Sequence, residues 1–123
     1  MPPKHILIVD DDPDNLLILG MKLKSKGYAV HTAPSASAAL RSAALRKPDV
    51  IILDILMPGT NGTDLGEKFR QNKKFKNVPV LFVSSLQRKE DEVKPGLIGP
   101  SRIFSKPVDI ERLDLKIKEV LAE

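Results

Sequence analysis

Aspartates stand at positions 10, 11, 12 and 14, another, Asp54, ends the apolar run VIIL, Ser84 and Ser85 end a second run, and Lys106 followed by Pro107 ends a third. Carboxylates brought within a few ångströms repel one another, and each rises in pKa unless cations compensate. One hard divalent ion together with the Lys106 ammonium would relieve that repulsion. Mg²⁺ suits such a set because it takes one or two carboxylates, keeps several waters and binds phosphate oxygens. A carboxylate held ionised in this way can attack phosphorus and become an acyl phosphate. Phosphoryl transfer needs in-line positioning and neutralisation of the equatorial oxygens, and Mg²⁺, Ser84 and Lys106 can each take one. Asp54 is the candidate nucleophile. Any one aspartate, taken alone, reads more simply as a helix cap or a solvated charge, and Asp12 is read only as a cap.

The positioning elements follow from the apolar pattern. Runs rich in branched residues recur at HILIV (5–9), AVHTA (29–33), VIIL (50–53), VLFV (80–83) and RIFS (102–105) and predict five strands. Their lack of polar alternation implies burial on both faces, as in a parallel sheet covered by helices. Asp12 caps the first intervening helix, with Pro13 in its first turn, Leu16, Met21 and Leu23 on its apolar face and Gly27 as its stop. The tandem SAALR SAALR at 37–46 is an alanine-rich second helix. The third runs roughly from Thr63 to Asn72 and carries Leu65 and Phe69. In LQRKEDEVKPGLIGP (86–100) the prolines and glycines at Pro95, Gly96, Gly99 and Pro100 cut a fourth helix short. Asp109 caps the last, where Ile110, Leu113, Ile117 and Leu121 follow helical spacing.

This alternation predicts an α/β fold, a doubly wound five-stranded parallel sheet with right-handed crossovers. Ligands of such sheets bind beyond the carboxyl ends of the strands, near the point where strand order reverses. Asp10, Asp11, Asp54, Ser84 and Lys106 all fall at those ends. If the first and third strands are neighbours, three carboxylates converge there. The turn PGTNG after Asp54 clears an approach path and leaves backbone carbonyls available to a metal.

Composition narrows the function classes. The 123 residues suit one domain, 1–123, and 41% hydrophobic with 29% charged residues is ordinary globular composition. Cysteine is absent, which removes disulfides, thiolate nucleophiles and cysteine zinc sites. MPPKH leads straight into a strand, too short for a signal peptide, so a soluble cytoplasmic protein with no membrane partner is expected. The net charge of +4 says little about fold.

The blocks ILIVDDDPDN (6–15), PDVIILDILMPGTNG (48–62), VPVLFVSS (78–85) and FSKP (104–107) resemble the receiver domain of two-component response regulators, and the likeness covers essentially the whole chain. Thirty positions separate Asp54 from Ser84 and fifty-two separate it from Lys106, which resembles the family's spacing. The resemblance implies a flavodoxin-like (βα)5 sheet of order 2-1-3-4-5. It implies phosphorylation of Asp54 by a phosphohistidine of a sensor histidine kinase or a histidine phosphotransfer protein. Asp11, Asp54 and the Leu56 carbonyl would bind Mg²⁺ directly, and Asp10 would act largely through water. Ser84 would hydrogen-bond the phosphoryl group, Lys106 would pair with it, and Pro107 would follow in a cis peptide. The output would be an altered contact with a downstream protein, with phosphorylation-dependent homodimerisation one form of it. Two departures stand out: Ile103 replaces the aromatic residue usual three places before the lysine, and Pro95 and Gly96 interrupt the usual fourth helix. Leu56 and Leu86 flank the path of a hydrolytic water, and their apolar character predicts slow self-dephosphorylation.

Competing readings have weaker support. Aspartate-nucleophile phosphohydrolases also pair an acyl phosphate with Mg²⁺ but typically place a second aspartate two positions after the nucleophile, where this chain has Leu56. The chain therefore reads as a signalling switch rather than a turnover enzyme. A flavin carrier would need aromatic residues at the strand ends, and the chain has no Trp and one Tyr, Tyr28. The basic run KFRQNKKFKN (68–77), with Phe69 and Phe75 interleaved, raises nucleic-acid binding, but it reads better as a solvated helix end and loop, so no direct nucleic-acid contact is expected. His5 and His31 lie in separate strands without matching ligand partners and read as structural.

Overall fold

The computed structural model describes residues 2–57, 60–84 and 102–122, without the side chains of Leu56 and Thr60. Ser85, Leu86 and the expected fourth helix at 86–100 lie outside these residues, as do Pro58 and Gly59 of the turn after Asp54. The strands β1 (His5–Val9), β2 (Ala29–Ala33), β3 (Val50–Asp54), β6 (Val80–Ser84) and β7 (Ile103–Ser105) make one sheet in the order β2-β1-β3-β6-β7. All its pairings are parallel. Two further strands, β4 (Leu56–Met57) and β5 (Thr60–Asn61), form a small antiparallel ribbon. With the ribbon set aside, the order is the expected 2-1-3-4-5. The helices are α1 (Pro13–Ser25), α2 (Ala36–Leu45), α3 (Gly62–Gln71) and α4 (Ile110–Leu121).

Successive side chains along a strand point to opposite faces, and this splits the core in two. Leu7, Val9, Ile51, Leu53 and Phe82 pack on one face with Ala39, Ala43, Leu65 and Phe69 from α2 and α3. Ile6, Ile8, Val50, Ile52, Leu81 and Val83 pack on the other with Leu16, Leu23, Leu113 and Ile117 from α1 and α4. Each large side chain buried this way contributes about 1.5–3 kcal/mol, against about 1 kcal/mol for a helix cap. Core burial therefore sets the fold, and the caps trim its boundaries.

Those boundaries follow local chemistry. The Asp12 carboxylate accepts from the Asp14 N–H at 2.9 Å, and Gly27, with φ of 98°, reverses the chain after α1. Asp109 accepts from the N–H groups of Glu111 and Arg112. The third helix begins at Gly62, one residue earlier than expected, because Asn61 caps it by accepting from the Thr63 N–H at 2.8 Å. The last strand begins at Ile103, one residue later than the apolar run suggested.

Two expectations need correction. Met21 is 62% exposed, whereas Leu16, Gly20 and Leu23 are the buried residues of α1. Five positions beyond Leu16, residue 21 is rotated well away from the inward stripe, and helical spacing selects 16, 20 and 23 instead. Strand β2 is not buried on both faces, because it is the sheet's edge and most of it is only half-buried. In the basic run, Phe69 and Phe75 pack edge-on with centroids 5.5 Å apart, and both rings are core. Among the described residues no helix is long and apolar enough to cross a membrane.

Candidate functional site

Main-chain hydrogen bonds carry the sheet past its strands and into the site. Asp10 follows β1 and donates its N–H to the Ala33 carbonyl at 3.1 Å. Asp54 is the last residue of β3, opposite Val83 in register, and the next residue, Ile55, donates to the Val83 carbonyl at 2.9 Å. Lys106 donates its N–H to the Ser84 carbonyl at 2.8 Å. Gly62 then donates to the Ile55 carbonyl at 2.8 Å, folding the ribbon and the start of α3 back against the end of β3.

Within this frame the Lys106 ammonium lies 2.9 Å from Asp10 Oδ2 and 3.2 Å from Asp54 Oδ2, bridging the ends of two adjacent strands. Both carboxylates are about 4% exposed, and Ser84 at the end of β6 is fully buried. The other oxygen of Asp10 accepts the Asp12 N–H at 3.0 Å. The side chain of Asp12 turns away to cap α1 while its backbone steadies Asp10, a contribution that residue type alone does not reveal. Asp11 is exposed, yet Asp10, Asp11 and Asp54 each offer one oxygen within 4.8 Å of the others. The peptide joining Lys106 to Pro107 is cis.

The electrostatics are unresolved by protein groups alone. Burial, and next the charge of Asp10, push the Asp54 carboxyl up to about 6, although the charge and hydrogen bond of Lys106 oppose the rise. For Lys106, burial favours the neutral amine, but the hydrogen bond to Asp10 and the charges of Asp54 and Asp10 outweigh it and raise its pKa. One ammonium thus leaves a residual penalty on an ionised Asp54. A hard divalent cation would remove it. Three carboxylate oxygens with Asp11 open to solvent fit Mg²⁺, which prefers few protein ligands and several waters.

Of the residues singled out from sequence, Asp10, Asp11, Asp54 and Lys106 are therefore brought together. Ser84 ends the neighbouring strand, and the backbone of Leu56 opens the ribbon directly after the site. Ile103 is buried opposite Phe82, in the core beneath α2 and α3. Gly62 was legible only as a turn residue.

The chain matches the family model for the response regulator receiver domain over residues 6–118. It belongs to that family, the receiver domains of two-component systems. It is 34% identical over 118 residues to protein PilH of Pseudomonas aeruginosa, covering 96% of this chain and 98% of PilH. A putative response regulator from Chloroflexus aurantiacus superposes with a TM-score of 0.88 at 30% identity, covering 98% of this chain and 99% of that one. Response regulator TrrA from Thermotoga maritima, in complex with Mg(2+)-BeF, superposes with a TM-score of 0.83 at 26% identity, covering 95% and 98%. Other curated relatives are longer: the chain spans 26% of one and 50% of another.

Proposed function

We propose that residues 1–123 act as one phosphorylation-controlled switch, which accepts a phosphoryl group on Asp54 from a phosphohistidine of a sensor histidine kinase or a histidine phosphotransfer protein. The phosphorus–nitrogen bond of the donor breaks, a phosphorus–oxygen bond to the Asp54 carboxylate forms, and the departing imidazole takes up a proton from solvent. The observation that carries this reading is the Lys106 ammonium held between Asp10 and Asp54 at 2.9 and 3.2 Å. A cation fixed there before reaction stabilises negative charge arriving on the phosphoryl oxygens without reorganising.

The remaining roles follow from position. Asp10, Asp11, Asp54 and the Leu56 carbonyl would hold Mg²⁺, which supplies further charge neutralisation when bound; the TrrA complex with Mg(2+)-BeF supports that assignment. The Ser84 hydroxyl would donate to a phosphoryl oxygen. Leu56, two positions beyond Asp54, offers no group to activate water, so the modified chain should lose its phosphoryl group slowly. Added negative charge would draw Ser84 and Lys106 toward it and alter the surface near β6 and β7, where a downstream protein or a second copy would bind. A cytoplasmic location fits a donor of this kind.

Intact mass after treatment with acetyl phosphate and Mg²⁺ tests the reading. The natural chain should gain about 80 Da, roughly one phosphoryl group, and Asp54→Ala should gain none. Equal labelling of the two, or no labelling of the natural chain, would overturn it.

A further inference from the structure

At the end of β1 remote from Asp10, the fold brings together two histidines that lie far apart in sequence. Nδ1 of His5 is 3.0 Å from Nε2 of His31, and Arg46, just past α2, places Nη2 2.6 Å from Nε2 of His5. A guanidinium only donates, so Nε2 of His5 must accept. Its proton is therefore on Nδ1 and is donated to Nε2 of His31, whose own proton is on Nδ1. Both rings are neutral, and a single proton lies between two nitrogen lone pairs. The ring planes are 16° apart and the centroids 5.2 Å apart. That separation is close to the N···N distance plus the two ring radii, so the rings meet edge to edge and the facing nitrogens point at one another.

We propose that His5 and His31 form a binding site for a divalent ion of the imidazole-preferring class, Zn²⁺, Ni²⁺ or Cu²⁺, with Arg46 as its competitor. Metal–imidazole bonds of about 2.0–2.1 Å put two nitrogens on one ion about 3 Å apart at right-angled coordination and somewhat farther apart in a tetrahedron. The pair already has that spacing; because the facing nitrogens point along the line between them, each half-buried ring must turn by roughly 40° to aim its lone pair at a shared ion. Water can complete the shell. The Asp49 carboxylate, which accepts from the backbone N–H of His5 at 2.7 Å, adds negative charge at the same strand end.

The proton balance is simple. Near neutral pH the His5 proton moves from Nδ1 to Nε2 through solvent, the metal takes both facing nitrogens, and no proton is released overall. Arg46 then faces an N–H rather than an acceptor and must leave. Because Arg46 is exposed, it can return to water. The site is chemically separate from the oxygen cluster at the other end of β1, since imidazole favours borderline ions and carboxylates favour hard ones.

Zn²⁺ titration of the full chain in excess Mg²⁺ near neutral pH, followed by amide NMR and calorimetry, tests the proposal. Signals at residues 4–6, 30–32 and 46–49 should shift together. His5→Gln and His31→Gln should each weaken binding about tenfold or more, while Asp54→Ala leaves it unchanged. Arg46→Ala should strengthen binding by about threefold or more, because it removes a competing hydrogen bond. Shifts confined to the surroundings of Asp10, Asp11 and Asp54, undiminished binding by His31→Gln, or weaker binding by Arg46→Ala would each overturn it.

Discussion

Gly62 packs against Asp54 so closely that a methyl group on Gly62 would lie 2.0 Å from the Asp54 carbonyl oxygen and 2.8 Å from its carbonyl carbon. These are backbone atoms at the end of a buried strand and have nowhere to retreat. Gly62→Ala should therefore cost about 2 kcal/mol or more and, by displacing the acceptor, slow phosphorylation about tenfold to a hundredfold. Gly66→Ala is the control, because its methyl group would meet side-chain rather than backbone atoms: the edge of the Phe82 ring at 2.9 Å and Leu53 Cδ1 at 3.5 Å. The ring can tilt, so the loss there should be nearer 1 kcal/mol with phosphorylation close to normal. Urea unfolding and time-resolved intact mass measure both; equal effects from the two substitutions would contradict the distinction.

Asp54 lies buried beside the Asp10 carboxylate, and that burial and charge disfavour its ionised form. Replacing it by Asn removes the charge and keeps an oxygen that can accept from Lys106. Asp54→Asn should stabilise the metal-free protein by about 2 kcal/mol at neutral pH, even though it abolishes the acceptor. The gain should shrink when Mg²⁺ is added, since a cation offsets the same repulsion in the natural chain. A less stable Asn variant in urea unfolding without metal would contradict this.

The side chain of Asp12 serves α1, not the cluster it adjoins in sequence. Asp12→Ala removes the oxygen that accepts from the Asp14 N–H but keeps the backbone N–H that holds Asp10. Stability should fall by about 1 kcal/mol, and the extent of labelling by acetyl phosphate should be unchanged. A strong loss of labelling would place the Asp12 carboxylate in the site.

A third buried carboxylate contributes to the acid limb of stability. Asp114, 5% exposed on α4, accepts from the Tyr28 hydroxyl at 2.5 Å and from the Lys118 ammonium at 3.1 Å. Burial raises its pKa, but the hydrogen bonds from Tyr28 and Lys118 and the charges of Lys118 and Lys26 outweigh burial and leave it below the ordinary carboxyl value. Burial, and then Asp114 itself, raise the Tyr28 phenol, so it remains a donor. Folding therefore favours ionised Asp114: its contribution is fully present above the unfolded carboxyl pKa and disappears as pH falls through the lower folded one. Asp114→Asn should cost about 1–2 kcal/mol at neutral pH, and its stability curve should converge with that of the natural chain once the pH has fallen through the lowered folded carboxyl value. A constant difference at every pH would rule out this linkage.

Most of the fold was legible because burial and chemistry agree along the strands. Apolar runs ending on Asp10, Asp54, Ser84 and Lys106 located both the sheet and its polar edge, and Asp12, Gly27 and Asp109 marked helix ends by their local chemistry. What could not be read depends on pairs distant in the chain. His5 and His31 are twenty-six positions apart, and nothing in either run announces that β1 and β2 put them side by side. The partnership of Tyr28 with Asp114 spans eighty-six positions and is invisible for the same reason. Met21 misled because apolar character marks a candidate for burial, whereas helical phase decides it. The steric demand at Gly62 likewise appears only when the strand end it presses upon is in place.

The main-chain bonds from Ile55 to the Val83 carbonyl and from Lys106 to the Ser84 carbonyl stitch three strand tips into a common hem. The peptide between Val83 and Ser84 sits at the middle of that stitching. A displacement of Ser84 toward a new charge would pull on the lysine's own backbone on one flank and on the residue after Asp54 on the other. Under the proposed function, arrival of one small group would thereby become a concerted tug along neighbouring strands.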